Sequence, residues 1–134
     1  VNNDALPDLF VAKGNVDQMP GMATRDPNNL LVQGSDGKFA EAGESAGIAD
    51  VARSRGAGLA DFDGDGLLDL VVVNRRAPMR LYHNVTQGAG NAASVQLQGA
   101  GGNRFAIGAR VSISAGDMQQ SQQVTIGGGH AGAV

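Results

Sequence analysis

The sequence has 134 residues, of which 21 are glycine and 17% are charged, and its formal net charge is −3. This composition indicates many tight turns between short strands, and the acidic charge, with no basic cluster beyond Arg75 and Arg76, argues against a nucleic-acid partner. The lack of cysteine excludes disulfides, thiol catalysis and cysteine-ligated metals, and without a run of eighteen apolar residues we expect no membrane insertion.

The chain begins with a polar segment that leads into a short apolar strand. Oxygen-bearing side chains at Asn2, Asp4 and Asp8 precede the apolar residues 9–12. Alternate residues of a calcium loop turn their oxygen atoms inward, and the carbonyl of Leu6 would complete such a set. Asn2 supplies a neutral oxygen in place of a carboxylate, and the first ligand would precede residue 1. We therefore predict a weak, truncated calcium loop here.

The next predicted elements extend to the middle of the chain. An irregular stretch at 13–26 is followed by a strand at Asn29–Gln33 and by a turn at 35–39 that feeds a further strand. Residues 41–50 favour one short helical turn, which their glycines weaken. Residues 55–60 are predicted to form a strand that delivers the chain into the next loop.

Residues 61–69 form the strongest motif of the sequence. Carboxylates occupy its first, third, fifth and ninth positions, and two glycines allow the backbone to fold tightly around a central point. Carboxylates packed so closely repel one another unless a cation neutralises them, and calcium prefers all-oxygen coordination. The predicted calcium ligands are the side chains of Asp61, Asp63, Asp65 and Asp69 and the carbonyl of Leu67.

The residues after this motif distinguish it from an EF-hand. An EF-hand needs a bidentate Glu at position twelve, but that position is Val72, inside an apolar run at 70–73 that reads as a buried strand. Ordinary Asp-Gly turn chemistry is the alternative interpretation of the motif. The regular spacing of four acids favours a calcium loop at the entry to a strand.

The two loops belong to an internal repeat. A shift of 61 residues places the first loop on the second and residues 9–12 on residues 70–73. A predicted strand at 80–84 matches Asn29–Gln33 if the first copy has about ten additional loop residues. A repeat of short strands is typical of β-propeller blades, so we predict an all-β fold with blades in residues 1–87. Because two blades cannot close a ring, we expect the chain to be part of a larger assembly.

Residues 88–134 differ in character and predict a small antiparallel β unit, which we treat as a second domain. A glycine-rich link precedes a strictly alternating segment at 94–98, which predicts a half-buried strand. A hairpin turn at 115–117 is predicted to join strands at 107–114 and 118–126.

Residues 55–72 resemble an FG-GAP/VCBS repeat, the calcium-binding blade of integrin α-chain propellers and of many bacterial surface proteins. Asn103 and Arg104, residues 107–111 and residues 127–130 resemble the ASPIC/UnbV domain. The two units in this order resemble the family of cartilage acidic proteins and their bacterial relatives. The resemblance implies calcium-loaded blades followed by the ASPIC/UnbV unit.

With only two histidines, the chain has few residues from which a histidine-based catalytic or metal site could be built. His83, at the end of a predicted strand, is expected to be a surface or packing residue, and His130 is expected to have a structural role in a glycine-rich loop. The glycine-rich segments at 99–102 and 127–129 lead neither into a helix nor into a Lys-Ser/Thr pair, so they do not predict phosphate binding.

These observations predict a non-catalytic calcium-binding module for adhesion, recognition or scaffolding, with a protein or glycan ligand. Calcium is millimolar outside the cytosol, which favours an extracellular location, either secreted or at the cell surface. Two alternatives remain open at this point. In the first, the chain would be an accessory domain of a secreted polysaccharide-active enzyme. In the second, it would be a calcium-dependent lectin in which calcium or the His130 loop contacts sugar.

Overall fold

A computed structural model describes residues 1–14 and 26–126, and every regular element in these residues is a β-strand. The strands are β1 (Leu9–Val11), β2 (Asn29–Gln33), β3 (Phe39–Glu41), β4 (Ser54–Ala60), β5 (Asp69–Asn74), β6 (Arg80–Tyr82), β7 (Arg110–Ala115) and β8 (Met118–Gln123). The predicted all-β class is confirmed for this part of the chain. Its residues form no helix long and apolar enough to cross a membrane.

The strands form three antiparallel sheets, of which the first two repeat each other. Their orders are β1-β2-β3 and β4-β5-β6, and β7 pairs with β8. In the first sheet Leu9 lies opposite Leu31, and in the second Leu70 lies opposite Tyr82. The offset between the copies is thus 61 residues between β1 and β5, and 51 residues between β2 and β6. The predicted ten-residue difference in loop length is confirmed by this register.

The two three-stranded sheets each contain a different part of one four-stranded unit. The pair β1-β2 corresponds to the pair β5-β6. The first sheet adds β3 beside β2, whereas the second adds β4 beside β5. When the two sheets are superposed on their common pair, β4 lies on one side of the pair and β3 on the other. The result is a sheet of four antiparallel strands, which is the blade of a β-propeller. The predicted blade architecture is therefore confirmed.

Each of these sheets buries one face, and the buried faces are opposite faces of the repeat. Leu70 in β5 is 6% exposed, but the equivalent Leu9 in β1 is 48% exposed. Leu30 in β2 is 5% exposed, but the equivalent Leu81 in β6 is 61% exposed. Because blades of a propeller stack front to back, this reversal is the burial pattern of two neighbouring blades with open outer faces.

Hydrogen bonds between the ends of the two blades fix their contact. The backbone N–H of Ser54 donates to the carbonyl of Lys13 at 3.0 Å, and the guanidinium of Arg55 donates to the carbonyl of Gly14 at 2.8 Å. A Cβ atom at Gly14 would lie 2.5 Å from the Cα of Arg53. Only glycine fits there without displacement, so the two blades meet along backbone as well as side chains.

The C-terminal sheet is a hairpin whose turn agrees with the sequence. Ala115 pairs with Met118, which leaves Gly116 and Asp117 as a two-residue turn. Gly116 has a φ of 59°, the left-handed value that the first central residue of such a turn requires. Every residue of β8 is exposed. The division into domains at 1–87 and 88–134 stays a prediction.

Several predicted strands differ from the structure. Residues 94–98 form no strand, so that prediction was wrong: alternation describes a side-chain pattern, but no strand of the described chain pairs with this segment. The predicted strand at 118–126 ends at Gln123. Residues 41–50 contain one helical turn, as predicted, in which the N–H of Ala46 donates to the carbonyl of Ala42 at 2.9 Å. His130 lies outside the described residues.

Candidate metal centre

The candidate metal centre is the connection between β4 and β5. Ala60 at the end of β4 lies directly opposite Asp69 at the start of β5, so residues 61–68 form a loop at one end of the blade. Gly64 and Gly66 have φ values of 79° and 86°, which side chains with a Cβ adopt only with strain. The glycines that the sequence places in this loop therefore occupy positions that require them.

Backbone N–H groups organise the carboxylates of the loop. Asp61 accepts from Gly64 at 2.7 Å and from Gly66 at 3.0 Å, so its side chain closes the turn. Asp63 accepts from the N–H of Asp65 at 3.2 Å, and Asp65 accepts from that of Leu67 at 2.8 Å. Each of the last two bonds spans two residues, as in an Asx turn, and uses one oxygen of its carboxylate.

Asp69 is the buried carboxylate of the centre, with 3% of its surface exposed. It accepts from the N–H of Asn84 at 2.8 Å and from that of Phe62 at 3.1 Å, which ties β5 to the end of β6 and to its own loop. The bond from Asn84 is the main cause that holds the pKa of Asp69 below its ordinary value, and Phe62 and His83 add to it against the opposing effect of burial. Asp69 is therefore ionised at neutral pH.

His83 lies beside this loop, which the sequence analysis did not foresee. Its Nδ1 atom is 3.2 Å from Asp69 Oδ1 and 3.6 Å from Asp63 Oδ2. Ligand atoms of Asp63, Asp65 and His83 lie within 4.8 Å of one another. The expectation of a surface residue holds for the exposure of His83, since its side chain is 55% exposed, but the contact with the loop was missed.

The register of β5 and β6 is the signal that would have identified His83. Leu70 pairs with Tyr82, so the next position outward places His83 opposite Asp69. The sequence repeat fixes which strands correspond but does not fix how the strands within one copy pair. A contact between residues 69 and 83 therefore needed the structure.

The predicted calcium ligands have two different roles in the described structure. Asp63 and Asp65 belong to the cluster with His83, whereas both oxygens of Asp61 and of Asp69 accept backbone hydrogen bonds. The carbonyl of Leu67 as a ligand stays a prediction, as does the complete set. The donors present are carboxylate oxygens and one imidazole nitrogen, and carboxylates are the ligands of hard divalent cations, so the donor set fits calcium.

The first loop repeats this geometry with two changes. Asp4 accepts from the N–H of Leu6 at 2.9 Å, as Asp65 does from Leu67. Asp8 accepts from the N–H of Gln33 at 3.0 Å, as Asp69 does from Asn84, and its other oxygen accepts from the nitrogen of Val1. The hydrogen-bond pattern is thus repeated along with the strands. The equivalence includes the ninth position of the loop, Asp8 or Asp69, and the residue that donates to it, Gln33 or Asn84.

The changes weaken the first loop as a metal site. The amide of Asn2 donates to Asp4 Oδ2 at 2.9 Å, so an oxygen that would face a cation already has a donor. The bond from Leu6, together with this one, lowers the pKa of Asp4. Val32 occupies the position that corresponds to His83, and it offers no ligand atom. Calcium binding by Asn2, Asp4, Leu6 and Asp8 stays a prediction.

The two loops touch each other. The side-chain amide of Asn3 donates to the carbonyl of Gly66 at 3.0 Å, and the amide of Asn84 donates to the carbonyl of Val1 at 2.9 Å. The N–H of Gly90 donates to the carbonyl of Asn2 at 2.9 Å. Both candidate sites therefore lie side by side at the same end of the two blades.

Comparison with known protein families agrees with this repeated geometry. The profile of the FG-GAP-like repeat family matches residues 1–72 and again residues 61–120. The matches cover most of the chain, and the chain belongs to the FG-GAP-like repeat family. They overlap at residues 61–72, which contain the second loop and the start of β5.

Comparison with individual proteins finds relatives that share one name. The chain is 46% identical over 57 residues to human cartilage acidic protein 1, over 42% of this chain and 9% of that protein. It is 36% identical over 81 residues to the Xenopus tropicalis protein of the same name, over 60% of this chain and 11% of that protein. The mouse protein is 42% identical over 57 residues, with coverages of 42% and 9%.

The predicted resemblance to cartilage acidic proteins is thus confirmed. The chain spans only about a tenth of the length of these relatives. No solved structure gives a significant match.

Proposed function

We propose that this chain is part of a non-catalytic, extracellular module whose blades are braced by calcium and present a surface to a protein or glycan ligand. The observation that carries the proposal is the loop at 61–69, where four carboxylates lie within nine residues at the end of a blade and glycines fill the strained positions. Relatives named cartilage acidic protein and the calcium concentration outside cells support an extracellular location.

The chain's own residues define how calcium would act. Asp63 and Asp65 each use one oxygen for a backbone hydrogen bond, and their carboxylates face His83 across the loop. Bound calcium would neutralise the charge that these carboxylates concentrate. Asp69 would connect the ordered loop to the end of β6, because it already accepts a hydrogen bond from the N–H of Asn84. In this proposal the metal fixes the conformation of the loop, and the ligand binds to a surface of the blades that this conformation keeps rigid.

A calcium-dependent melting experiment tests the proposal. We expect the melting temperature of the chain to rise with free calcium, since a ligand that binds only the folded state stabilises it by mass action, by about 2.7 kcal/mol at a hundredfold excess over Kd. The D65N variant, which keeps the side-chain shape, should lose most of the response. D36N, in the turn between β2 and β3 and outside residues 1–8 and 61–69, is the matched control and should retain it.

Differential scanning calorimetry in calcium and in chelator provides the measurement. An identical transition under both conditions would exclude calcium bracing. A response equal in D65N and in the unaltered chain would place the ion elsewhere.

A cleft beside the first loop favours a second candidate function, glycan binding. The cleft has a volume of about 860 Å³ and lies between residues 5–7, residues 93–97 and the β7-β8 sheet. Its lining includes the amides of Gln96, Gln120 and Gln122, which can both donate to and accept from sugar hydroxyls. A glycan array with the Q122A variant as control tests this function; binding that Q122A does not alter would exclude the cleft.

A further inference from the structure

We propose that His83 is a nitrogen ligand of the loop at 61–69, and that this loop binds Zn²⁺ or a similar transition ion in addition to calcium. The inference deepens the proposed function and rests on the loop being a metal site. It concerns a residue that lies outside the motif and reaches the loop only through the pairing of β5 with β6.

The position of His83 supplies the geometry. Its Nδ1 atom faces the carboxylates of Asp63 and Asp69, at 3.6 Å and 3.2 Å. With Asp65 included, ligand atoms from three side chains lie within 4.8 Å of one another. Zinc bonds to imidazole nitrogen and carboxylate oxygen are about 2.0–2.2 Å long and tetrahedrally arranged, so neighbouring ligand atoms lie about 3.4 Å apart. The side chains of Asp63, Asp65 and His83 would therefore need to move closer together to surround one ion, and their exposure leaves them room to do so.

The chemistry of the donors separates two kinds of ion. Calcium takes oxygen ligands almost exclusively, so it gains little from an imidazole. Imidazole nitrogen suits zinc, copper, nickel and iron, and mixed His and carboxylate sets bind divalent ions of that series more tightly than oxygen alone. His83 is thus the residue that would broaden the selectivity of the loop.

The repeat provides an internal comparison. The first loop has the same turn, and its ninth residue accepts the equivalent backbone bond, but Val32 occupies the position that His83 occupies in the second copy. Asn2 replaces Asp63 as well. The first loop therefore lacks both the imidazole and one carboxylate of the cluster, and only the second loop is expected to bind a transition ion.

The H83V variant, which reproduces the first loop at this position, is the direct test. The His83 side chain is 55% exposed, so its replacement should leave the fold intact. We expect Zn²⁺ affinity to fall tenfold or more, as is typical when a metal site loses a supporting group, while calcium affinity changes less than about twofold. Isothermal titration with each metal alone measures both quantities on the full chain, and the visible absorption of bound Co²⁺ reports directly on nitrogen coordination.

Four outcomes are informative. Loss of zinc affinity and of the Co²⁺ spectrum in H83V, with calcium binding retained, supports the proposal. Unchanged zinc affinity in H83V overturns it. Calcium binding by the unaltered chain without zinc binding also overturns it and leaves the proposed function intact, whereas failure to bind either metal contradicts both. The V32H variant adds a converse measurement, because it introduces only the imidazole and should gain less zinc affinity than H83V loses.

Discussion

Glu41 shows how single carboxylates hold this glycine-rich chain together. Its side chain accepts from the N–H of Gly43 at 2.8 Å, from the amide of Asn29, and from the N–H of Leu30 at 3.2 Å. The bond from Gly43 is the main cause that lowers the pKa of Glu41 below its ordinary value of 4.5, against the opposing effect of burial. One carboxylate thereby joins β3 to β2 and to the turn that follows.

The lowered pKa of Glu41 predicts a specific pH dependence. Because the folded-state pKa lies below 4.5, the contribution of Glu41 to stability is complete above that pH and is lost as the pH falls through the folded-state value. The E41Q variant should be less stable than the unaltered chain at pH 7. The difference should shrink towards pH 3. Urea unfolding across this range measures it, and a pH-independent difference would contradict the assignment.

At the level of elements, burial and not residue type decides the importance of an apolar side chain. Leu70 and Leu81 lie in neighbouring strands of one sheet, yet the first is 6% exposed and the second 61%. Leucine at each position looks equally suited to a core when only the sequence is read. The antiparallel pairing places them on opposite faces, since Leu70 pairs with Tyr82 and Val71 pairs with Leu81.

This pair gives a matched prediction. L70A should reduce the free energy of unfolding by about 2–5 kcal/mol, the cost of a cavity at a buried leucine. L81A removes the same atoms from an exposed face and should cost about 0.5 kcal/mol or less. Chemical denaturation of both variants under the same conditions tests this; comparable losses would mean that the open face of β6 is covered in solution.

The repeated strands could be predicted from the sequence, because the same pattern of apolar residues occurs in both copies and each copy supports the assignment of the other. The loops and their glycines were equally visible, since spacing carries that information. Residues 94–98 show the limit: alternation of Val95 and Leu97 with polar residues describes a strand, but a strand also needs a paired neighbour. His83 was missed for a related reason, because its contact with Asp69 depends on register.

At the scale of the whole molecule, the junction between the blades brings two backbone segments into close contact. Gly14 lies against the backbone of Arg53, and adjacent bonds join Ser54 to Lys13 and Arg55 to Gly14. This contact, the touching loops at 1–8 and 61–69 and the buried faces together make one unit from two sheets. In the described residues, the first sheet exposes the face of Leu9 and the second exposes the face of Leu81.

Gly14 therefore provides a test of the junction. G14A would place a Cβ 2.5 Å from the Cα of Arg53 and should destabilise the chain by about 1–3 kcal/mol through overpacking. G58A, in β4, is the control, because nothing lies within 4 Å of the added Cβ atom. Equal unfolding free energies for the two variants would show that the blades separate there without cost.

The unequal connections within the two copies also make the chain a scaffold for grafting. Strand pairing is the same although the connection between β1 and β2 is ten residues longer than that between β5 and β6. The short connection at Ala77 therefore offers a position for an inserted epitope or fluorophore tag of similar length, since loop extension costs little entropy. It lies at the end of the β5-β6 pair opposite to Asp69, so a label there would report on the blade from outside the metal centre.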